Sequence, residues 1–462
     1  MNAPLILLTL TGGLAVAVVL LRRQATASWL MASTGAALVS LLAFLVRVDG
    51  DAGLPGVPVS ISGTWTILGR SLELGTANRA VVGFVFLVAA FMFAGARVAR
   101  PGRLFYGAGL LVVALVAGSL MAVPFLYAAV FLEGMALVAV LMLYPPERGG
   151  ARAPMRMVLL YTLGMMALLT AGWQAGSLGS GSVAPEAART ATVLAVLGFG
   201  LLLAAPPFHL WLPSAAGHSH PYALSFVLLI AQAGALFLVL RFFDAYAWLR
   251  ENQALFVAAR WVAIGIAAFA SLWAMAQRSL ARTAVYAVMA DTAVILLAFS
   301  AMSTEGYQLA LGLSAARVIG LGVWGLGASV LQNTGAGDTT EELTGIAYTA
   351  PLATAAAMVG LFSVAGFPIT AGFPGRWAVM AGGGAAAFAI VGTIGAVSLA
   401  AVRWTSTVLR SPRERSHPPL TLLDRLFLGV GILLCVLLGL FPQLLYPWVV
   451  GALSGLTGLA GG

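Results

Sequence analysis

Across 462 residues, 61% are hydrophobic, 8% carry a charge, and the mean hydropathy is +1.00. That excludes a soluble globular protein, because there is too little polar surface to cover so much apolar side chain. The formal net charge is +9, yet all 24 basic residues are arginine, standing singly or in twos and threes at the ends of apolar runs, a pattern that sets membrane topology rather than one that grips nucleic acid.

At roughly 20 residues per crossing, apolar runs bounded by Arg, Pro or Gly predict spans over 4–21, 28–46, 80–96, 105–122, 124–144, 154–175 and 190–205 in the first half. Seven more follow over 222–242, 255–275, 281–301, 307–331, 348–382, 384–409 and 421–441. The sequence thus predicts an all-α polytopic membrane protein of about 14 transmembrane helices, one transmembrane domain over residues 1–462. The first run ends in Arg22-Arg23 with no basic stretch before it and no small-residue cleavage site, and reads as a first span rather than a removed signal peptide. Alternating Val, Ile, Ser and Thr around Val57–Ile67 predict a small outward-facing hairpin within the loop 48–79. Cys435 lies inside the last span and serves packing; a lone cysteine supplies neither a disulfide nor a thiolate metal or iron–sulfur site within the chain.

Odd-numbered connections and their adjoining span ends carry fourteen arginines and even-numbered ones eight. Positive residues stay inside, so both termini are expected on the outer side of the cell (inner) membrane.

Two spans carry too much proline to run through. The seventh meets Pro206, Pro207 and Pro213, and the twelfth meets Pro368 and Pro374. Each proline removes a backbone donor and clashes with the preceding turn, so helices 7 and 12 are expected to be broken, which is tolerated at membrane depth only inside protein or beside a wet cavity. Pro206 and Pro368 are 162 residues apart, and Glu133 and Asp291 are 158 apart. These near-equal offsets predict two five-helix repeats, helices 4–8 (105–242) and 9–13 (255–409), inverted because the number per repeat is odd.

An ionisable residue at a helix centre costs roughly 2.5 to 3.5 kcal/mol on insertion scales, and three stand there: Glu133, Asp291 and Arg317. One reading is a midplane proton pathway; the other is a buried ion pair holding helices together. His209 titrates near neutrality and could shuttle protons, or could bond local backbone in the helix break. Gln232 is a water-wire or packing amide. His218 and His220 lack a third metal ligand nearby. Gly320-Leu321-Gly322-Val323-Trp324-Gly325 spells a dinucleotide-binding pattern but follows no strand and lies inside a span, so it is set aside.

Pro206-Pro207-Phe208-His209-Leu210-Trp211-Leu212-Pro213 resembles the P-F-H-x-W-L-P-D signature of the antiporter-like membrane subunits of respiratory complex I, membrane-bound hydrogenases and multisubunit cation/proton antiporters. Gly366 to Trp377 resembles that family's second broken-helix motif, Phe131 to Met135 its fifth-helix glutamate motif, and Arg282 to Tyr286 its K-R-L-L-A-Y segment. The chain's length and Gly366 to Phe373 resemble the subunit N (subunit 2) type most. The resemblance implies a proton pathway with Glu133 in the glutamate position. It also puts Leu202, Gln232 and Arg376 where the family carries lysines on helices 7, 8 and 12, Asp291 where it carries a histidine, and Arg317 where it carries an eleventh-helix base.

A lysine can be tuned toward neutral pKa by burial, whereas arginine keeps its proton, so a lysine-free chain implies an altered or reduced pathway. The resemblance leads us to expect a membrane-arm subunit of a complex I-like redox-driven proton pump, with no catalytic chemistry or cofactor of its own. Other membrane-arm subunits and redox subunits, carrying iron–sulfur clusters, flavin or quinone, would be its partners, together with the lipid bilayer and without nucleic acid. Two alternatives stand beside it: a subunit of a cation/proton antiporter or proton-coupled uptake complex, and a non-conducting scaffold of the membrane arm.

Overall fold

The computed structural model describes residues 2–45, 61–67, 69–144, 151–177, 185–335, 337–410 and 420–460. Ten helices among them are long and apolar enough to cross a bilayer. They include α1 (Ala3–Leu20), α2 (Ala25–Leu45), α3 (Thr76–Ala99), α6 (Arg152–Ser177), α9 (Pro221–Ala245) and α11 (Gln253–Ala276). The other four are α12 (Leu280–Phe299), α13 (Thr304–Asn333), α17 (Gly384–Val408) and α18 (Leu422–Leu440). The remaining four expected spans are shorter or less apolar. Helices α4 (Phe105–Met121) and α5 (Ala128–Leu143) have 17 and 16 residues, while α7 (Pro185–Leu202) and α15 (Pro351–Ala365) stop at the breaks. Length and composition together therefore license ten crossings among the described residues, or eleven counting the bent 340–365 segment as one; the fourteen expected runs each have a helix at their place.

Short helices complete the set: α8 (Trp211–Ala216), α10 (Ala247–Arg250), α14 (Thr340–Leu343), α16 (Phe373–Ala381), α19 (Tyr446–Leu453) and α20 (Thr457–Ala460). Pro213 sits at the third position of α8 and Pro374 at the second of α16. There the missing donor has no intrahelical partner to lose, so these two prolines restart the helices after the breaks instead of breaking them. The breaks themselves run over 203–210, through Pro206 and Pro207, and over 366–372, through Pro368.

Helices α9 and α12 are covered by protein on nearly every side, α13 on most, and α1, α11, α17 and α18 face outward over much of their length. Since lipid is as apolar as leucine, close fit rather than hydrophobicity holds such helices together. The α13–α15 pair shows this: a methyl group on Gly360 would lie 2.3 Å from the backbone nitrogen of Trp324, so only glycine admits the approach. The stretch Gly320 to Gly325 lies within α13 and serves packing, Gly320 against Ser363 of α15 and Gly325 against Ser225 of α9.

A hairpin lies within the loop 48–79, its first strand in the later part of the alternating stretch. Strands β1 (Thr64–Ile67) and β2 (Arg70–Glu73) pair antiparallel with Trp65 opposite Leu72, and β3 (Ala122–Val123) joins the edge of β2. Gly69, at φ +73°, supplies the left-handed turn residue. Residues 46–60 and 68 of the expected loop lie outside the described residues.

Neighbours repeat in order along the chain: α4 packs on α5, α5 on α6 and α6 on α7, as α11 packs on α12, α12 on α13 and α13 on α15. At one end of the first series, Arg241 of α9 donates to the carbonyls of Leu120 (3.1 Å) and Ala122 (3.0 Å) at the end of α4. In the second series, Arg403 of α17 donates to Met275 and Gln277 at the end of α11.

Candidate functional site: a buried arginine–aspartate node

Four of the six residues singled out in the sequence meet at one place. Gln232 comes from α9, Asp291 from α12, Arg317 from α13 and Arg376 from α16, and all four are buried. Arg317 Nε donates to Asp291 Oδ2 at 2.5 Å, and Arg376 Nη2 donates to Asp291 Oδ1 at 2.5 Å. Each carboxylate oxygen thus holds one guanidinium. Arg317 Nη1 donates in turn to Gln232 Oε1, so a single chain of polar contacts crosses from α9 to α16.

The second helix break exists in a form that admits Arg376. Helix α15 ends at Ala365 with Gly366 at φ +78°; the Gly366 and Phe367 amides take the Ser363 and Phe362 carbonyls, which leaves the Val364 carbonyl still to be satisfied. Arg376 reaches back across the break and donates to Val364 O at 2.6 Å and to Gly372 O at 2.9 Å. A cation beside the C-terminal end of a helix is also favoured by the helix dipole. A methyl group on Gly372 would sit 2.0 Å from Ser363 O and 2.7 Å from Arg376 Nη1. The glycines flanking Pro368 therefore make room for the side chain that joins the break to Asp291.

Two arginines against one aspartate leave the node with one positive charge in excess. Arg317 Nη2 and Arg376 Nε have no hydrogen-bond partner among the described residues. Beside Arg317 lies a cavity of about 50 Å³, with Gln232, Thr292 and Ser314 as its other polar lining, which is room for a few water molecules within reach of the guanidinium.

Glu133 and His209 stand apart from this node. Glu133, half-buried on α5, accepts a hydrogen bond from the Thr162 hydroxyl of α6 at 2.8 Å. That threonine was not legible as a partner because the pairing links two helices. His209 is buried in the first break, edge-on to Phe269 at 5.1 Å and 6.2 Å from Tyr286, and its Nδ1 has no partner among the described residues. Neither residue bonds to the node among the described residues. His218 and His220 are engaged with backbone: His218 Nδ1 lies 2.9 Å from Ser214 O, and His220 Nδ1 accepts from the Tyr222 amide at 3.3 Å. Leu202, at the end of α7, is buried and apolar.

Comparison with known proteins places this geometry. Residues 157–400 match the family model described as NADH:quinone oxidoreductase/Mrp antiporter, TM. NADH-quinone oxidoreductase subunit N 2 of Sorangium cellulosum is 30% identical over 288 residues, covering 58% of this chain and 56% of that one. Subunit N 1 of Solidesulfovibrio magneticus is 30% identical over 320 residues, 66% of this chain and 67% of the relative. The alignment thus spans little more than half the length of the first relative. Among solved structures, a chain of respiratory complex I from Thermus thermophilus shares the fold at TM-score 0.77 and 23% identity, covering 99% of both chains. A chain of the Mrp complex from a Dietzia species does so at TM-score 0.80 and 19% identity, covering 99% of this chain and 52% of that one. The node, the two breaks and their order along the chain therefore sit in a multi-pass membrane protein that belongs to the NADH:quinone oxidoreductase/Mrp antiporter transmembrane family.

Proposed function

We infer that this chain is a membrane-arm subunit of a complex I-like redox-driven proton pump, and that it transmits coupling through a permanently charged node rather than relaying protons by a lysine switch. The observation that carries this reading is Asp291 held by Arg317 and Arg376, with Arg376 also closing the second helix break. An arginine holds its proton across the physiological range, so it can fix charge and position but cannot pass a proton on. A fixed positive centre also raises an electrostatic barrier to a proton crossing that point. Movement of the broken helix would shift Arg376 relative to Asp291, which makes the node a mechanical link between α12, α13 and α16.

The repeated packing order and the 162-residue spacing of Arg241 and Arg403 support two inverted repeats, and the arginine bias of the odd-numbered connections supports both termini on the outer side of the inner membrane. Iron–sulfur clusters, flavin or quinone would belong to the partner subunits. Gentle detergent purification from the native membrane, followed by mass spectrometry, tests the assignment. Co-purifying redox subunits are the expected result. Only small membrane subunits would instead indicate a cation/proton antiporter assembly and overturn it.

A further inference from the structure

Away from the node, the ends of α1, α2, α3, α4 and α18 enclose a crevice of about 420 Å³ into which Arg22, Arg97, Arg100 and Arg103 all project, with Tyr106 and Asp424. We propose that this crevice binds the phosphate headgroup of an anionic membrane phospholipid.

Four guanidiniums against one carboxylate give the crevice a strong positive excess. Asp424 offsets one of those charges, and its carboxylate also caps its own helix by accepting from the Thr421 amide at 2.9 Å. Arg97 is braced by the Thr26 hydroxyl at 3.2 Å and lies over the Trp29 ring at 5.7 Å. The guanidiniums of Arg22, Arg100 and Arg103 have no hydrogen-bond or ion-pair partner among the described residues. Planar guanidinium groups match phosphate oxygens two at a time.

The surroundings favour a lipid over a protein segment. All five helix ends that form the crevice belong to one face of the membrane, and the walls leading away from it are greasy: Leu20 is 78% exposed and Leu422 is 74% exposed. A basic mouth above outward-facing leucines suits a molecule with a phosphate head and acyl tails, and basic pockets between transmembrane helices on the cytoplasmic side hold such headgroups. The arginine bias puts this face on that side, in the orientation on which the proposed function also rests, and the binding chemistry does not depend on redox coupling.

The test uses the intact assembly, purified in mild detergent from cells carrying the natural chain, an Arg100→Gln/Arg103→Gln variant or an Arg100→Lys/Arg103→Lys variant. Native mass spectrometry counts bound phosphatidylglycerol and cardiolipin, and unfolding temperature is read with added phosphatidylglycerol, phosphatidylcholine or inorganic phosphate. The expected result is loss of one anionic phospholipid per chain in the glutamine variant and its retention in the lysine variant. Phosphatidylglycerol, and not phosphatidylcholine, should raise the unfolding temperature of the natural and lysine forms only. Equal lipid counts in all three forms would overturn the proposal. So would protection by inorganic phosphate equal to that by phosphatidylglycerol, which would make free phosphate the ligand, or crosslinks showing an acidic segment of a neighbouring subunit in the crevice.

Discussion

Arg403 stands to α11 as Arg241 stands to α4: each donates to the carbonyl of the last-but-one helical residue and to that of the first residue beyond the helix. The two arginines are 162 residues apart, the same interval that separates Pro206 from Pro368. These side chains help satisfy the carbonyls of helix ends in a poorly hydrated place, at Leu120 together with Asn78, which donates to the same oxygen at 3.0 Å. Arg241→Leu and Arg403→Leu are each expected to cost about 1.5 to 3 kcal/mol, the range for hydrogen bonds to charged groups. Lysine at either position should recover only part, because one ammonium lacks the fork that spans two carbonyls. Thermal unfolding in detergent checks both.

At the node, removing the acid is predicted to be worse than removing one base. Asp291→Asn leaves two buried guanidiniums facing each other, and breaking a buried pair costs about 3 to 5 kcal/mol. Arg317→Gln leaves Asp291 still held by Arg376 and should cost less. The double variant should be less damaged than the sum of the two, by about 0.5 to 3 kcal/mol for residues in one network. Chain abundance in membranes and unfolding temperature report the order.

Gly372→Ala probes the break. Its added methyl group would meet Ser363 O at 2.0 Å and Arg376 Nη1 at 2.7 Å, so Arg376 must leave its seat or the break must open. Overpacking of this kind costs about 1 to 3 kcal/mol. Because the nearer clash is with the Ser363 backbone and only the second is with Arg376, Gly372→Ala should still destabilise an Arg376→Gln chain, but by less than two independent sites would add.

A pH-dependent latch lies outside the spans. Asp338 accepts from the Ala281 amide at 2.9 Å and from the Ser279 hydroxyl, tying its loop to the start of α12. Burial raises its pKa above the usual 3.8, outweighing the lowering by the Ser279 and Ala281 hydrogen bonds and by Arg282. The folded latch then keeps a proton that the open chain has released, so its stability falls as pH rises from 3.8 through the raised value and is level above it. Asp338→Asn cannot ionise and should abolish that fall. Amide exchange at Leu280 and Ala281, corrected for intrinsic rates between about pH 4 and 7, should show a slope in the natural chain and none in the variant.

Much of the fold was legible because span length, arginine punctuation and proline density each have a direct physical cause. The hairpin's strands Thr64–Ile67 and Arg70–Glu73 fall inside the loop 48–79, but their register was not legible, since it depends on where Gly69 can turn. Pro213 and Pro374 were read as breakers because sequence alone does not say on which side of a break a helix restarts. Asp291 and Arg317 announced themselves by the cost of burying charge. Arg376 did so only through the family resemblance, since it looks like a span-end arginine until the break folds it inward. Thr162 as the partner of Glu133, and Arg241 and Arg403 as caps, gave no local signal: each acts on a carbonyl or carboxylate of another helix.

The most direct test is proton-pumping stoichiometry of the intact, reconstituted assembly carrying Glu133→Gln. A charge-fixed node separate from Glu133 predicts unchanged protons per electron with assembly intact, while Arg376→Gln uncouples electron transfer from pumping. Loss of pumped protons in Glu133→Gln at full assembly and electron-transfer rate would contradict the account and make this chain a proton conductor through Glu133.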